Sequence, residues 1–571
     1  MIRRVRSGFS SYENVLAKRD VRLLFAGLTV SATGSWAYNV GLLAFVYGRT
    51  HSLAWVGAAG FVRFVPALLL SAYAGVVAER LERVRLMARA DLLCAAWQSG
   101  LAVVALSGGP VALALAFSAL SAATSVVYSP SVSATIPSLV GEADLVAANA
   151  LNATIDNLTV ISGPAVGALL LLAGSPSVVF IVNAASFLIS AALVSRIAHR
   201  QPPVDVTEGG SAGILSQMAV GVRAILGGRS ARALVAFSVL ASFVYGTDTV
   251  LFVGVSAHRL GTGATGFGYL LAGLGVGGVL MAPVVDRLAS RPRLAHIILA
   301  GMALYALPTA LLTVVRSPEL AVVIQVVRGG ATLVVDVLAI TALQRSVPKD
   351  QLARVFGVFF AFVLVAITLG TVITPAVVGA LGLNGGLLVM AGAPALLALG
   401  GLPSLLAVDA MTAAASAALA PRVALLEQLG IFAVARRPLL ERLASAAEDR
   451  EFAAGTAIIT EGEDADYLYV LVEGDVEVTA SGEGGGAPRA IRTMHAPTYF
   501  GEIGILERIP RTANVIALRD CRCALIDGAT LLDAINSVSA SASLTELASS
   551  RLALTHPSLR VAGEPAPASA A

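Results

Sequence analysis

The sequence predicts an all-α polytopic membrane bundle of twelve helices in two pseudo-symmetric halves, followed by a small β-barrel or jelly-roll domain with flanking helices. Three observations carry this expectation. Hydrophobic residues make up 57% of the 571 and charged residues 13%, and the mean hydropathy is +0.81, which is more apolar surface than a soluble chain can bury. Apolar segments long enough to cross about 30 Å of hydrocarbon recur up to residue 410 and then stop. Beyond that point short pieces of alternating polarity take over. The net charge of +3 is small and scattered, and gives no basis for a nucleic-acid partner.

The spans are expected at 21–47, 53–78, 86–107, 110–133, 154–175, 177–197, 232–257, 265–287, 294–315, 319–341, 353–380 and 384–407. Six spans, a polar stretch and six more give a first half over 15–200, a central cytoplasmic loop over 201–230 and a second half over 231–410. Basic residues collect at alternate junctions. Arg3, Arg4, Arg6, Lys18 and Arg19 precede the first span, and Arg80, Arg83, Arg85 and Arg89 follow the second. Arg287, Arg291 and Arg293 follow the eighth; Arg345, Lys349 and Arg354 follow the tenth. This bias puts both termini in the cytoplasm of a multi-pass protein of the cell inner (plasma) membrane. Glu142 and Asp144, in a short loop without a basic residue, dissent weakly. The first twenty residues lack the apolar core and cleavage site of a signal peptide, so the basic N-terminal tail is expected to stay.

Polar groups within spans are expensive in hydrocarbon and mark a transport cavity or a coupling site. Asn39, Asp156, Asp248, Arg328 and Asp336 are singled out. Asp248 could bind a proton or a cationic group, or pair with a neighbouring helix. Arg328 and Asp336 stand about 12 Å apart on one side of a helix, where they could frame one cavity or pair elsewhere. Arg63 could snorkel or sit inside the bundle, and its role stays open. Glycine and alanine allow close helix approach at 161–170 and 273–280, and Gly163-Pro164 suggests a bend.

The stretch GVVAERLER, from Gly75 to Arg83, resembles the Gly-x-x-x-Asp-Arg-x-Gly-Arg loop signature of the major facilitator superfamily. Gly75, Arg80 and Arg83 match, Glu79 replaces the acid, and Glu82 stands where the family has glycine. A second copy, APVVDRLAS, keeps Asp286 and Arg287 after span eight, where an internal duplication would place it. The resemblance covers roughly residues 15–410. It implies a cytoplasmic gate of Gly75, Glu79, Arg80, Arg83, Asp286 and Arg287 that breaks and reforms during alternating access. SLVGEADLVAANALNATIDNLTVISGPAVGALL and VPKDQLARVFGVFFAF are similar to the branch that moves drugs, siderophores or other small amphiphiles outward.

A linker over 411–424 leads to a domain over 425–553 and a flexible tail over 554–571. AIITEGED, YLYVLVEGDVEVTA, AIRTM, ANVIAL and CRCALIDG read as strands, with a hairpin loop at 482–488. The chemistry concentrates in YFGEIGILERIPRTANVIAL, residues 499–518. Gly501 lets a phosphate approach backbone amides, and Arg511 can neutralise a phosphodiester oxygen. Glu502 cannot ligate phosphate and suits a ribose hydroxyl instead. The segment resembles the phosphate-binding cassette of the cyclic-nucleotide-binding domain family, FGE-x-G/A-L-x(7)-R-T/S/A-A-x-V. Gly501, Glu502, Ile503, Gly504, Arg511 and Thr512 occupy its positions. The family implies Glu502 on the ribose 2′-hydroxyl, Arg511 on the cyclic phosphate, and a lid helix around 528–553. Thr512 leaves the base open between cAMP and cGMP, with cAMP favoured.

Together these readings point to a secondary active transporter, exporting a small amphiphilic molecule and regulated by cytoplasmic cyclic nucleotide. The alternative is a non-transporting, membrane-anchored cyclic-nucleotide sensor. Expected partners are the cyclic nucleotide, an unidentified small-molecule substrate, protons and membrane lipid. No catalytic residue, cofactor or metal site is expected: His51, His199, His258, His296, His495 and His556 are dispersed, Cys94, Cys521 and Cys523 lack metal-site spacing, and no GxxxxGK[ST] segment occurs.

Overall fold

Lipid offers no partner to a backbone N–H or C=O, so an apolar chain that enters it must satisfy those groups within each segment. The chain does so first through α1 (Arg19–Thr50), α2 (Leu53–Arg80), α3 (Arg83–Ser107), α4 (Val111–Ser125), α5 (Tyr128–Val140), α6 (Leu145–Ala173) and α7 (Pro176–Ser195). After α8 (Ser211–Gly227) come α9 (Arg229–His258), α10 (Gly266–Ala289), α11 (Ala295–Ala306), α12 (Pro318–Ser346), α13 (Leu352–Gly400) and α14 (Leu402–Gln428). This computed structural model describes residues 13–141, 144–199, 211–263, 266–289, 291, 293–347, 351–432, 435, 437–482 and 486–536. The chain divides into two units, Met1–Asp409 and Ala410–Ala571.

The expected count of twelve spans is corrected. Among the described residues ten segments are long and apolar enough to cross a membrane. Two features account for the difference. The polar-rich α1, with Ser31, Thr33, Ser35 and Asn39, is not among the ten, and the last two expected spans merge into one apolar segment, Arg354–Gly400. That segment carries a single non-helical residue, Gly382, at φ 69° and ψ 172°. Such a conformation suits glycine alone, so the chain turns there without ending the apolar run.

α1 lies against α6 and α7, and α3 against α7; α9 lies against α13, and α10 against α12. The helices before and after residue 211 meet through α6 with α10 and α2 with α13. Small residues make these contacts close. A Cβ on Gly163 or Gly167 would strike α1 at Trp36 or Ala37, and one on Gly57 or Gly60 would strike Thr371 of α13. Gly277 and Gly329 bring α10 and α12 together so that a Cβ on either would overlap a carbonyl of the other helix. α6 runs unbroken through Pro164, so Gly163 serves close approach rather than a helix break. Leu69, Leu172, Leu280 and Leu396 are exposed, surface that hydrocarbon would cover.

In the second unit, α15 (Arg437–Ala446) precedes β1 (Glu448–Phe452), β2 (Ala457–Ile459), β3 (Tyr467–Glu473), β4 (Asp475–Gly482), β5 (Gly486–His495) and β6 (Thr498–Phe500). Then follow α16 (Glu502–Glu507), β7 (Asn514–Ala517), β8 (Cys521–Asp527) and α17 (Gly528–Asn536). The expected closed barrel or jelly roll is also corrected, because the strands form two open four-stranded sheets, β1-β8-β3-β6 and β2-β7-β4-β5. β1 shows why one edge stays open: Glu448, Asp449, Arg450 and Glu451 are all exposed, and a charged edge strand does not recruit another neighbour. β3 is buried on both faces. Leu468 and Val470 join a cluster with Leu440, Leu443 and Ile526, whereas Leu471 joins Val476, Val515 and Cys523. Residues 537–553 of the expected lid helix, the 554–571 tail, 483–485 of the expected hairpin and 201–210 of the central loop lie outside the described residues.

A β-branched side chain at the α10–α12 contact must push the helices apart. Gly329→Val is expected to destabilise the full chain by more than about 2 kcal/mol. Gly357→Ala, with open space around its Cβ position, should be neutral or stabilising by up to about 1 kcal/mol. Thermal unfolding of both variants in detergent checks the contrast.

Candidate functional site

Two clusters of polar side chains stand out, one in each unit. In the bundle, α9 supplies Asp248 and α12 supplies Arg328, both almost completely buried, with side-chain exposures of 4% and 0%. Arg328 Nη2 donates to both carboxylate oxygens at 2.8 Å. Nη1 donates to Gln325 Oε1 at 2.7 Å and Nε to the Tyr305 carbonyl at 2.7 Å. The Tyr305 hydroxyl donates back to Asp248 at 3.3 Å, and the guanidinium lies 5.1 and 5.5 Å from the Tyr305 and Phe252 ring centres. Asp248 is therefore a paired carboxylate.

Asn39 is buried and shares a cavity of about 10 Å³ with Asp248, Tyr245 and Thr249, so the structure brings Asn39, Asp248 and Arg328 together. It does not bring the other two. Asp156 is exposed, and among the described residues its carboxylate accepts one long bond, from Asn152 at 3.4 Å. Asp336 is half-buried and makes no hydrogen bond or ion pair among the described residues.

Around the expected gate, Gly75, Glu79 and Arg80 lie in the last turns of α2, and Asp286 and Arg287 in the last turn of α10. The side chains of Glu79 and Asp286 lie outside the described residues. Arg83 begins α3 and donates to the carbonyls of Ala78 and Ala134 at 3.4 and 3.3 Å, tying the end of α2 to α5. Glu82, which departs from the family's glycine, caps α3 by accepting from the amides of Val84 and Arg85 at 3.1 Å. A carboxylate is favourable at that helix terminus.

In the second unit, Phe500 ends β6 and Gly501 turns the chain at φ 84° into α16. Arg511 is 6% exposed. It donates from Nη1 to the Gly501 carbonyl at 2.7 Å and from Nη2 to the Tyr467 carbonyl at 2.8 Å. Its backbone is held as well: the Arg511 amide donates to Glu463 O, and the Gly462 amide to Arg511 O. The guanidinium sits 5.8 Å from the Tyr469 ring, and that ring stacks on Phe500 at 5.3 Å. Burial lowers the pKa of Arg511, while nearby Tyr469, Asp466, Glu463 and Glu502 act in the opposite direction. Glu502 is buried in the first turn of α16. Gly504 is buried beside Ala465, where a side chain would not fit. Ile503 and Thr512 are half-buried next to these groups in the chain, and Asn514 fixes the opposite wall by accepting from the Glu461 amide at 2.9 Å. Two of the five Arg511 donors are used on carbonyls, which leaves three for an anion.

A third polar region surrounds Arg63, whose role the sequence left open, and includes Asp91, which the sequence did not single out. Arg63 of α2 lines two adjoining cavities with Ser35, Ser125 and Phe187. Asp91 of α3 lines the second of them, held by Ser190 at 2.7 Å and Tyr128 at 3.5 Å. The available signal was weak, since an Arg or Asp in an apolar span does not disclose what faces it. Among the described residues no group of three or more His, Cys, Asp or Glu could hold a metal ion.

Residues 11–436 match the family model MFS_3, described as transmembrane secretion effector, and residues 449–538 match the cyclic nucleotide-binding domain model. The second region is 41% identical over 76 residues to a cAMP-dependent protein kinase regulatory subunit of Yarrowia lipolytica, covering 13% of this chain and 19% of that protein. It is 36% identical over 92 residues to human cGMP-dependent protein kinase 2, covering 16% and 12%. A solved structure of the Toxoplasma gondii PKA regulatory domain with cAMP aligns at 24% identity and a TM-score of 0.23, covering 26% of this chain and 56% of that one. The chain spans less than a fifth of the length of these two curated relatives. Neither matched family is catalytic. The chain belongs to the transmembrane secretion effector family of the major facilitator superfamily and carries a C-terminal cyclic nucleotide-binding domain.

Removing one partner of a buried ion pair strands the other charge, at about 3–5 kcal/mol. Asp248→Asn is expected to lower the unfolding temperature of the full chain strongly, and Asp248→Asn with Arg328→Gln to regain part of the loss. An unchanged midpoint for the single variant would show that the pair is not structural. Gly501→Ala forces a Cβ to 2.7 Å from Arg511 Nη1 in a left-handed conformation that costs about 1–2 kcal/mol. It should lower nucleotide affinity by displacing the guanidinium, read by calorimetric titration.

Proposed function

We propose that this protein is a secondary active exporter of a small amphiphilic molecule, regulated by cyclic AMP bound in its C-terminal domain. The reading places the chain in the cell inner (plasma) membrane with both termini in the cytoplasm, where the nucleotide signal is found, and assigns protons as the coupling ion. The basic bias of alternate loops supports the orientation. The observation that carries the regulatory part is the Arg511 arrangement: a buried guanidinium fixed by two carbonyls, beside a glycine-led helix start and the buried Glu502. A phosphodiester takes the remaining guanidinium donors and the α16 amides, and Glu502 accepts from the ribose hydroxyl. Thr512, adjoining Arg511, is the residue on which the choice of base turns.

In the bundle, Gly75, Glu79, Arg80, Arg83, Asp286 and Arg287 serve as the cytoplasmic gate. Asn39, Asp248 and Arg328 form a polar lock deep in the second half, and Asp336 is the acid left to carry a proton. The tight closure around Asp248, with a cavity of only about 10 Å³, favours the membrane-anchored sensor as a second reading. The larger cavities at Arg63 favour transport.

The full chain in phospholipid nanodiscs, titrated calorimetrically with cAMP and cGMP, tests the regulatory reading. Saturable binding is expected, tighter for cAMP. Arg511→Ala should weaken it about 100-fold, the loss of charge-assisted bonds worth roughly 3 kcal/mol. Absence of binding to either nucleotide by folded protein removes the regulatory claim and leaves the bundle as an unregulated carrier.

A further inference from the structure

We propose that the two adjoining cavities of the first half bind the head group of an amphiphilic organic anion, an aromatic sulfonate or carboxylate, through Arg63. The proposal rests on the transport reading and narrows its substrate class. The cavities measure about 180 and 220 Å³ and share Ser35, Arg63, Ser125 and Phe187.

Arg328 shows how this chain pairs a buried cation in full, surrounding it with a carboxylate, an amide oxygen and a carbonyl. Arg63 receives none of these. Among the described residues it forms no ion pair and no hydrogen bond, and its guanidinium rests 5.1 Å from the Trp36 ring and 5.3 Å from the Phe64 ring. Cation–π contact holds the group in place without neutralising it. A charge in an apolar bundle is retained where it faces water or a ligand. Asp91 lines the adjoining cavity but is engaged by the Ser190 and Tyr128 hydroxyls.

A second observation points the same way. Asn183, 1% exposed, lines the cavity of about 180 Å³ with its Nδ2 donor unpartnered, while its Oδ1 accepts from Ser186 at 3.1 Å. A planar guanidinium and an unused amide N–H suit an oxyanion. Trp36, Phe64 and Phe187 supply the apolar surface for an aromatic body.

Equilibrium dialysis of the full chain in phosphatidylcholine nanodiscs, against 1-naphthalenesulfonate, neutral 1-naphthalenesulfonamide and cationic 1-naphthylmethylammonium, tests the site. Empty nanodiscs subtract lipid partitioning. The sulfonate should be retained at least tenfold better than either analogue. Arg63→Gln should abolish that preference and Arg63→Lys keep part of it, and Asn183→Ala should weaken it several-fold if Arg63→Gln does not fold. Equal retention of the three probes, retention of none, or a preference that survives Arg63→Gln overturns the assignment. Counterflow in proteoliposomes separates the two readings. Sulfonate bound through Arg63 but not moved supports the site and removes transport, whereas neutral probe moved without anion preference keeps transport and removes the site.

Discussion

A charge withdrawn from water must be answered by the protein or by something that enters it, and this requirement organises the molecule more than any other. Three arginines show the range of answers. Arg328 is answered completely, by Asp248, Gln325 and the Tyr305 carbonyl. Arg511 is answered in part, by two carbonyls that fix its direction and leave donors over. Arg63 is held by two rings and given no anion. The same side chain is thus fully paired, partly paired with donors left over, or set against rings beside a cavity, according to what surrounds it.

The placement of these charges relative to the glycine contacts matters. Asp248 and Arg328 join α9 to α12, while the helices before and after residue 211 meet along α2–α13 and α6–α10. Those seams include close approaches at small residues: Gly57 and Gly60 against Thr371, and Gly268 against Pro164 and Ala168. A directional contact crosses between the two helix groups as well, a 2.7 Å hydrogen bond between the Tyr47 hydroxyl of α1 and His258 Nε2 of α9.

How much of this was legible in the sequence depended on the range of the interaction. Hydropathy is local, so the membrane segments were visible, and the errors fell where local composition misleads, at the polar α1 and across Gly382. The cassette was visible because Gly501, Glu502 and Arg511 lie within one short stretch. Closure of the β domain was not legible. Alternation tells which face of a strand is buried, whereas an open or closed sheet depends on whether distant edges pair, and the charged β1 was not among the expected strands. Asp156 and Asp248 looked alike as acids in apolar helices. Only the fold shows that one is exposed and the other meets an arginine 80 residues away.

The fixed posture of Arg511 also limits how a nucleotide could act on the bundle. With Gly501 already in the left-handed turn and the guanidinium already bonded to β3 through Tyr467, binding need not order the receptor, so little affinity is lost to reorganisation. A receptor formed alike in two states would bind equally in both and shift neither population, however tightly it bound. Regulation therefore requires that the states differ in some element the nucleotide touches besides Arg511. Such an element must be ordered differently with and without ligand, and its differential contact, rather than the strength of the phosphate bonds, sets the size of the response.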